Sequence, residues 1–296
     1  MTRIVLVACV GLTVLASAVA QEEQQEYEYI DPQSPSWSFG DPEERRAAHY
    51  QELQDEWSQL GQLQPEEEPA RPRPQRSRKP EVVSLSLLTA PKAAKKAYQR
   101  ALAELKKNKS NLDKAASDLS RAVQEYPEMA PAWELLGWVS TWRGNRPEAQ
   151  AMFLQSVEAD SRYQNGYVAL ARAAVEEGQW QQATEWSERA VKIDPSTSRP
   201  HFYWAIASFY SNDLDTASRE AQRALATPDP FLPAHTHQIL GAVHHRRGDL
   251  QAAAEHYRMF LKAEPNHPLS ARLAKEVADW EAAGAVPAAA GRKPRS

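Results

Sequence analysis

Six histidines crowd one stretch of the 296-residue chain: His235, His237, His244, His245, His256 and His267. Imidazole carries protons near neutral pH and is a common transition-metal ligand. On a helix, however, His237 and His244 lie two turns apart, about 10 Å, too far to share one ion, and no acidic ligand sits one turn away on the same face. The spacing therefore predicts packing and surface histidines, with no metal and no cofactor. Arg247-Gly248-Asp249 spells a cell-adhesion tripeptide, but glycine there is also what a turn between two helices requires. Asn108-Lys109-Ser110 would accept a glycan in a eukaryotic secretory pathway. Past residue 20 there is no zincin helix, nucleophile elbow, phosphate-binding glycine loop or dinucleotide fingerprint. The single cysteine is Cys9, so the rest of the chain has no thiol for a disulfide, a metal site or a covalent intermediate. An enzyme is not expected.

Cys9 itself falls within a leader. Met1-Thr2-Arg3 precedes an apolar run from Ile4 to Leu15, and Ala18-Val19-Ala20 stands before Gln21. Those are the charge, apolar core and cleavage site of a signal peptide over residues 1–20. Leu6-Val7-Ala8-Cys9 has the look of a bacterial lipidation box, but the apolar run continues past it, which favours ordinary signal core. The expectation is an exported chain, periplasmic or extracellular, with no transmembrane segment once the leader is removed.

The net charge of -4 hides a segregation. Residues 21–69 carry fourteen acidic side chains against Arg45 and Arg46, and a basic, proline-broken stretch from Arg71 to Lys79 follows. Such a composition buries too little apolar surface to offset its ordering entropy, so residues 21–90 read as a disordered arm. Within it, Asp41, Pro42 and Glu44 can start a helix that Gly61 stops. Over residues 42–60 that helix would align Tyr50, Leu53, Trp57 and Leu60 on one face. Nucleic acid is not an expected partner of a chain that is exported and acidic overall.

Beyond Pro91 the chain repeats itself. Ala115, Ala149, Ala183 and Ala217 recur every 34 residues, and Ala253 follows after 36. Five residues before each stands Ser110, Gly144, Gly178, Asn212 or Gly248, the types suited to ending one helix and starting the next. Twelve after each stands Pro127, Ser161, Pro195, Asp229 or Pro265, where the second helix breaks. A small residue at one fixed place lets two antiparallel helices approach closely, and hairpins that cannot bury both faces must stack.

These residues resemble the tetratricopeptide repeat. Trp133, Leu136, Gly137, Ala149 and Phe153 stand at the family's positions in repeat two, and Leu240, Gly241, Ala253, Tyr257 and Pro265 in repeat five. Repeats one and four carry Ala103 and Ala205 where the family prefers glycine. The resemblance implies an all-α, right-handed solenoid over residues 91–283. Its hairpins fall at about 96–129, 130–163, 164–197, 198–233 and 234–267, and a cap helix occupies 268–283. Leu269, Leu273, Val277 and Trp280 make that helix's apolar stripe, with Arg272, Lys275, Glu276 and Asp279 turned away; residues 284–296 read as a flexible basic tail.

In the family the first helix of each hairpin lines a concave groove. Carried over by position, that implies a groove containing Arg100 and Glu104, Trp138 and Trp142, and Arg172. Repeat four adds Arg199, Phe202, Ile206, Phe209 and Tyr210, and repeat five His245 and Arg246. Any one of its aromatic rings could instead pack between repeats. Together they read as an aromatic groove, because Trp204 and Ala205 already fill repeat four's packing positions and its first helix would otherwise be apolar all round. The expected function is an exported scaffold that binds a protein or peptide in this groove, with an intramolecular contact from the 42–60 segment as one candidate occupant. Two alternatives stay open: a membrane-held envelope assembly factor, and a carbohydrate binder stacking sugars on the rings.

Overall fold

A left-handed residue ends the first helix of four successive hairpins: Gly144 (φ 79°), Gly178 (φ 70°), Asn212 (φ 61°) and Gly248 (φ 77°). Positive φ costs glycine nothing and asparagine little, which is why these two types occupy the places. Each turn closes in the same way. The Gly144 N–H donates to the Thr141 carbonyl and the Asn145 N–H to the Ser140 carbonyl, both at 2.9 Å, the crossed pair that satisfies a helix's last carbonyls. The next residue then caps the second helix, the Asn145, Asp213 and Asp249 side chains accepting from the Glu148, Thr216 and Ala252 N–H groups.

The computed structural model describes residues 85–107, 111–227 and 232–288. Among them the order is α1 (Leu85–Thr89), α2 (Lys92–Leu105), α3 (Leu112–Glu125), α4 (Ala130–Trp142), α5 (Arg146–Ala159), α6 (Gln164–Glu176), α7 (Trp180–Ile193), α8 (Ser198–Tyr210), α9 (Leu214–Ala226), α10 (Leu232–Arg246), α11 (Leu250–Ala263) and α12 (Ser270–Ala282). Helices α2 to α11 pair as five successive hairpins, and each second helix also packs on the first helix that follows it. First helices touch one another as well, α4 with α6, α6 with α8 and α8 with α10. The described part is thus an all-α solenoid whose buried apolar residues form three successive clusters along the stack. No described helix is long and apolar enough to cross a membrane.

The alanines of the repeat mark the closest approaches. Ala115, Ala183, Ala217 and Ala253 have no exposed surface and Ala149 almost none. Glycine is needed where a ring faces it: a Cβ on Gly137 would lie 2.3 Å from Phe153, and one on Gly241 would lie 2.4 Å from Tyr257.

Four local expectations are corrected. The connection from α2 to α3 runs from 106 to 111, longer than the three-residue turns of later hairpins, so the first helix ends early and its register slips. Ala103 is consequently exposed, while Ala97 and Ala101 fill the tight positions. Second, the end of the expected loose arm is partly packed: Ser86, Leu87 and Ala90 are buried, Leu87 in the first core cluster, and α1 lies against α4. Third, Glu276 does not turn away from the body but reaches His245 at 3.1 Å. Fourth, Val286 is buried beside Leu273 and Val277, and Arg258 donates to the Pro287 carbonyl at 2.7 Å, so the start of the expected loose tail is held. The leader, the 42–60 helix, the Asn108-Lys109-Ser110 acceptor and residues 289–296 lie outside the described residues.

Candidate partner-binding face

The twelve expected groove residues all lie on first helices, several of them in contact with second helices. On α2, Arg100 is exposed and donates to Asp118 at 2.9 Å. Glu104 is nearly covered and accepts from Lys107 at 2.7 Å and Lys114 at 3.2 Å. The Lys107 contact is the main cause that holds its carboxyl below the usual range, against the opposing effect of burial.

On α4 the Trp138 indole N–H donates to Glu134 at 2.7 Å, and the Tyr163 hydroxyl donates to the other Glu134 oxygen at 2.6 Å. The carboxylate is only 1% exposed, and these charge-assisted bonds are what make its burial tolerable. Trp138 also packs edge-on against Phe153 with centroids 5.0 Å apart. From α6, the Arg172 guanidinium lies 4.8 Å above the Trp138 ring and donates to Glu176 at 2.8 Å. Burial works against the Arg172 charge, and Glu176 and Tyr203 more than restore it, while neighbouring Arg199 opposes it.

The same device recurs two repeats along. Arg246 on α10 lies 4.8 Å over the Phe209 ring of α8 and donates to the Phe209 carbonyl at 2.9 Å. Tyr210, half-buried, stacks on Trp180 with centroids 4.3 Å apart. Arginines from later first helices thus lie on rings of earlier ones, joining apolar contact to partly hydrated charge.

The expected aromatic groove is corrected in part. Phe202 and Ile206 are completely buried, and Phe209 and Trp138 nearly so. Helix α8 is apolar all round because it is covered all round, by α9, α7, α6 and α10. Of the twelve expected site residues, Trp142, Arg172, Arg199, Tyr210, His245 and Arg246 are half-buried, Arg100 is exposed, and the remaining five are buried. The open chemistry of the face is therefore guanidinium, imidazole and indole edge. It offers no row of bare rings, and the carbohydrate alternative loses the stacking platform that motivated it.

The adhesion tripeptide is absorbed into the fold. Arg247 donates to the Leu214 carbonyl at 2.9 Å and pairs with Asp215, Gly248 makes the left-handed turn, and Asp249 caps α11. Sequence reasoning missed the buried group of Glu220, which meets His201 at 2.8 Å and Arg223 at 3.0 Å. Arg219 also reaches this carboxylate, and His201's second nitrogen faces the Pro195 carbonyl at 3.1 Å. That group ties the start of α8 to α9.

The tetratricopeptide repeat family model matches residues 204–268, and no curated protein matches the chain. Among solved structures, residues 41 to the end of MamA from Desulfovibrio magneticus RS-1 are 18% identical with a TM-score of 0.51, covering 60% of this chain and 98% of that one. Pseudomonas aeruginosa pilF is 18% identical with a TM-score of 0.55, covering 65% and 88%. The family match and the hairpin register mark tetratricopeptide-type repeats within the chain, and these two solved structures share its fold. At that identity the structural likeness speaks for the fold, and the fold suggests a protein–protein interaction scaffold.

Proposed function

We propose that this chain is an exported scaffold whose first-helix face binds a polypeptide partner. The carrying observation is the pair of arginines laid on rings of preceding first helices, Arg172 on Trp138 and Arg246 on Phe209, with Arg199 beside Arg172. Such a surface combines planar charge for carboxylate and carbonyl oxygens with apolar edges for side chains. Export rests on the leader-like residues 1–20. The test is site-specific photocrosslinking in the native compartment, with the crosslinker at Arg199 or Tyr210 on the face and at Lys192 on α7 as an outward control. The expected result is one polypeptide captured from the face positions and not from residue 192, with capture reduced by Arg172→Glu in protein that keeps its helical circular dichroism. Equal capture from all three positions would remove the face from consideration, and recovery of the chain only from the cytoplasm would remove export.

A further inference from the structure

The first-helix face carries more positive charge than its own carboxylates answer. Arg172, Arg199 and Arg246 rise half-buried from α6, α8 and α10, and Arg199 stands close enough to Arg172 to oppose its charge. Of the carboxylates beside them, Glu134 is buried and accepts from Trp138 and Tyr163, and Glu176 accepts from Arg172. Further along, Glu276 is met by His245 and Arg272. Half-buried Trp142 adds an indole edge at the end of α4, and the arginine stems laid over Trp138 and Phe209 are themselves apolar. A ligand that suits this face brings carboxylates and apolar anchors together and is long enough to cross several helices.

The chain supplies such a ligand outside its described residues. Within 42–60, Tyr50, Leu53, Trp57 and Leu60 recur at helical spacing. At about 100° per residue, Glu52 and Glu56 line one edge of that stripe a turn apart. From Ala47 to Leu60 the acidic side chains are Glu52, Asp55 and Glu56, and there is no Lys or Arg. We propose, on the reading of the first-helix face as a polypeptide-binding surface, that residues 42–60 bind that face of their own chain as a helix. The four anchors meet its apolar edges and the carboxylates meet Arg172, Arg199 and Arg246, the arrangement of an amphipathic helix laid in a groove. An outside partner must then displace the segment. The dimensions agree. A helix over 42–60 is about 28 Å long, and at about 8–10 Å between axes the first helices of repeats two to five span about 24–30 Å. Residues 61–84 connect the segment to α1, which lies against α4, and reach about 80 Å when fully extended. A tether of that length sets an effective concentration on the order of millimolar, so a contact with a dissociation constant of about 0.1 mM is roughly nine-tenths occupied.

The test uses the purified full chain with no outside partner present. A photocrosslinker replaces Trp142 on the face or Lys192 on α7, in protein that keeps its helical circular dichroism, and the products are mapped by mass spectrometry. Residues 42–60 of the same chain should be captured from position 142 and not from 192, with a yield independent of protein concentration. Leu53→Ala with Trp57→Ala should lower that capture at least fivefold. A fluorescent synthetic peptide of residues 42–60 gives the second readout. It should bind the Leu53→Ala, Trp57→Ala chain about tenfold more tightly than the wild type, because the internal competitor is gone. Adding Arg172→Glu and Arg199→Glu should abolish that binding; if this variant fails to fold, the capture and the peptide comparison decide. Absence of capture from 142, equal capture from 142 and 192, or equal peptide affinity for the two chains overturns the proposal. Capture that joins two chains and grows with concentration overturns it in favour of a second copy. If these results fail while a partner is still captured from Arg199 or Tyr210 in the native compartment, only the internal occupant falls; failure of both removes the face itself.

Discussion

Replacing Gly137 by alanine sets two physical effects of opposite sign against each other. In mid-helix the change should stabilise by about 0.5–1 kcal/mol, because alanine has less backbone entropy to lose on folding. Here the added Cβ would lie 2.3 and 2.4 Å from two Phe153 ring atoms. That ring is 1% exposed and pressed against Trp138, so it has nowhere to retreat, and overpacking of this kind costs about 1–3 kcal/mol. The clash should win, for a net loss of about 1–2 kcal/mol, or on the order of 2–6 °C in melting temperature for a body of this size. The sharper test is the sign in a second background. With Phe153→Leu already in place, Gly137→Ala should become neutral or stabilising, which a double-mutant cycle by urea denaturation and circular dichroism would read as a coupling above about 1 kcal/mol. The chain supplies a precedent: at the corresponding places of repeats three and four, Ala171 and Ala205 are matched by the small, fully buried Ser187 and Ala221. Stabilisation by Gly137→Ala in the wild-type background, or the same destabilisation in both, would refute the reasoning.

Acid should weaken the fifth hairpin through His235, which burial first and His267 second hold at about 4. The unfolded chain then binds the proton more readily than the folded one between about pH 6.5 and 4, so this contribution is complete above pH 6.5 and is lost as pH falls through that window. About 2 kcal/mol should be gone by pH 5 relative to pH 8. Urea midpoints at the two pH values in wild type and His235→Gln would show it as a difference between the two proteins, and parallel pH dependences would exclude it. His256 acts in the same direction, more weakly because it is half-exposed. Arg247→Ala should cost no more than about 1 kcal/mol, since Asp215 is well exposed. It should leave integrin-type adhesion of cells to the immobilised protein unchanged; lost adhesion would mean that the tripeptide serves a receptor.

What was legible in the sequence was whatever a single backbone position selects. Positive φ admits few residue types, so Gly144, Gly178, Asn212 and Gly248 announced the turns, and the tight crossings announced themselves as Ala149, Ala183, Ala217 and Ala253. The register of the first helix was not legible, because the alanine ladder is anchored on the second helices and is blind to the length of the 106–111 connection. Nor was the fate of the repeat-four rings: whether Phe202 faces solvent depends on how many neighbours cover α8, a count that belongs to the stack and not to one helix. Contacts between elements were the remaining blind spot. Tyr163 reaches Glu134 from 29 residues away and His256 meets His237 from 19, and periodicity within a helix carries no trace of either.

Arg143 donates to the Leu112 carbonyl and pairs with Asp113, as Arg247 does with Leu214 and Asp215. At the two junctions between them the corresponding residues are Glu177 with Pro147 and Ser211 with Gln181, which cannot form this pair. The clamp contributes little energy, both aspartates being exposed, but it distinguishes the junctions from one another. Repeat five joined directly behind repeat one would still find an aspartate for Arg247, whereas joined behind repeat two or three it would meet Pro147 or Gln181. Recombination between such similar units readily deletes or duplicates them, and only some products would restore matched junctions. The arginine–aspartate pairs act like keyed ends on interchangeable parts, so the order of the repeats is inscribed in side chains as well as in the continuity of the chain.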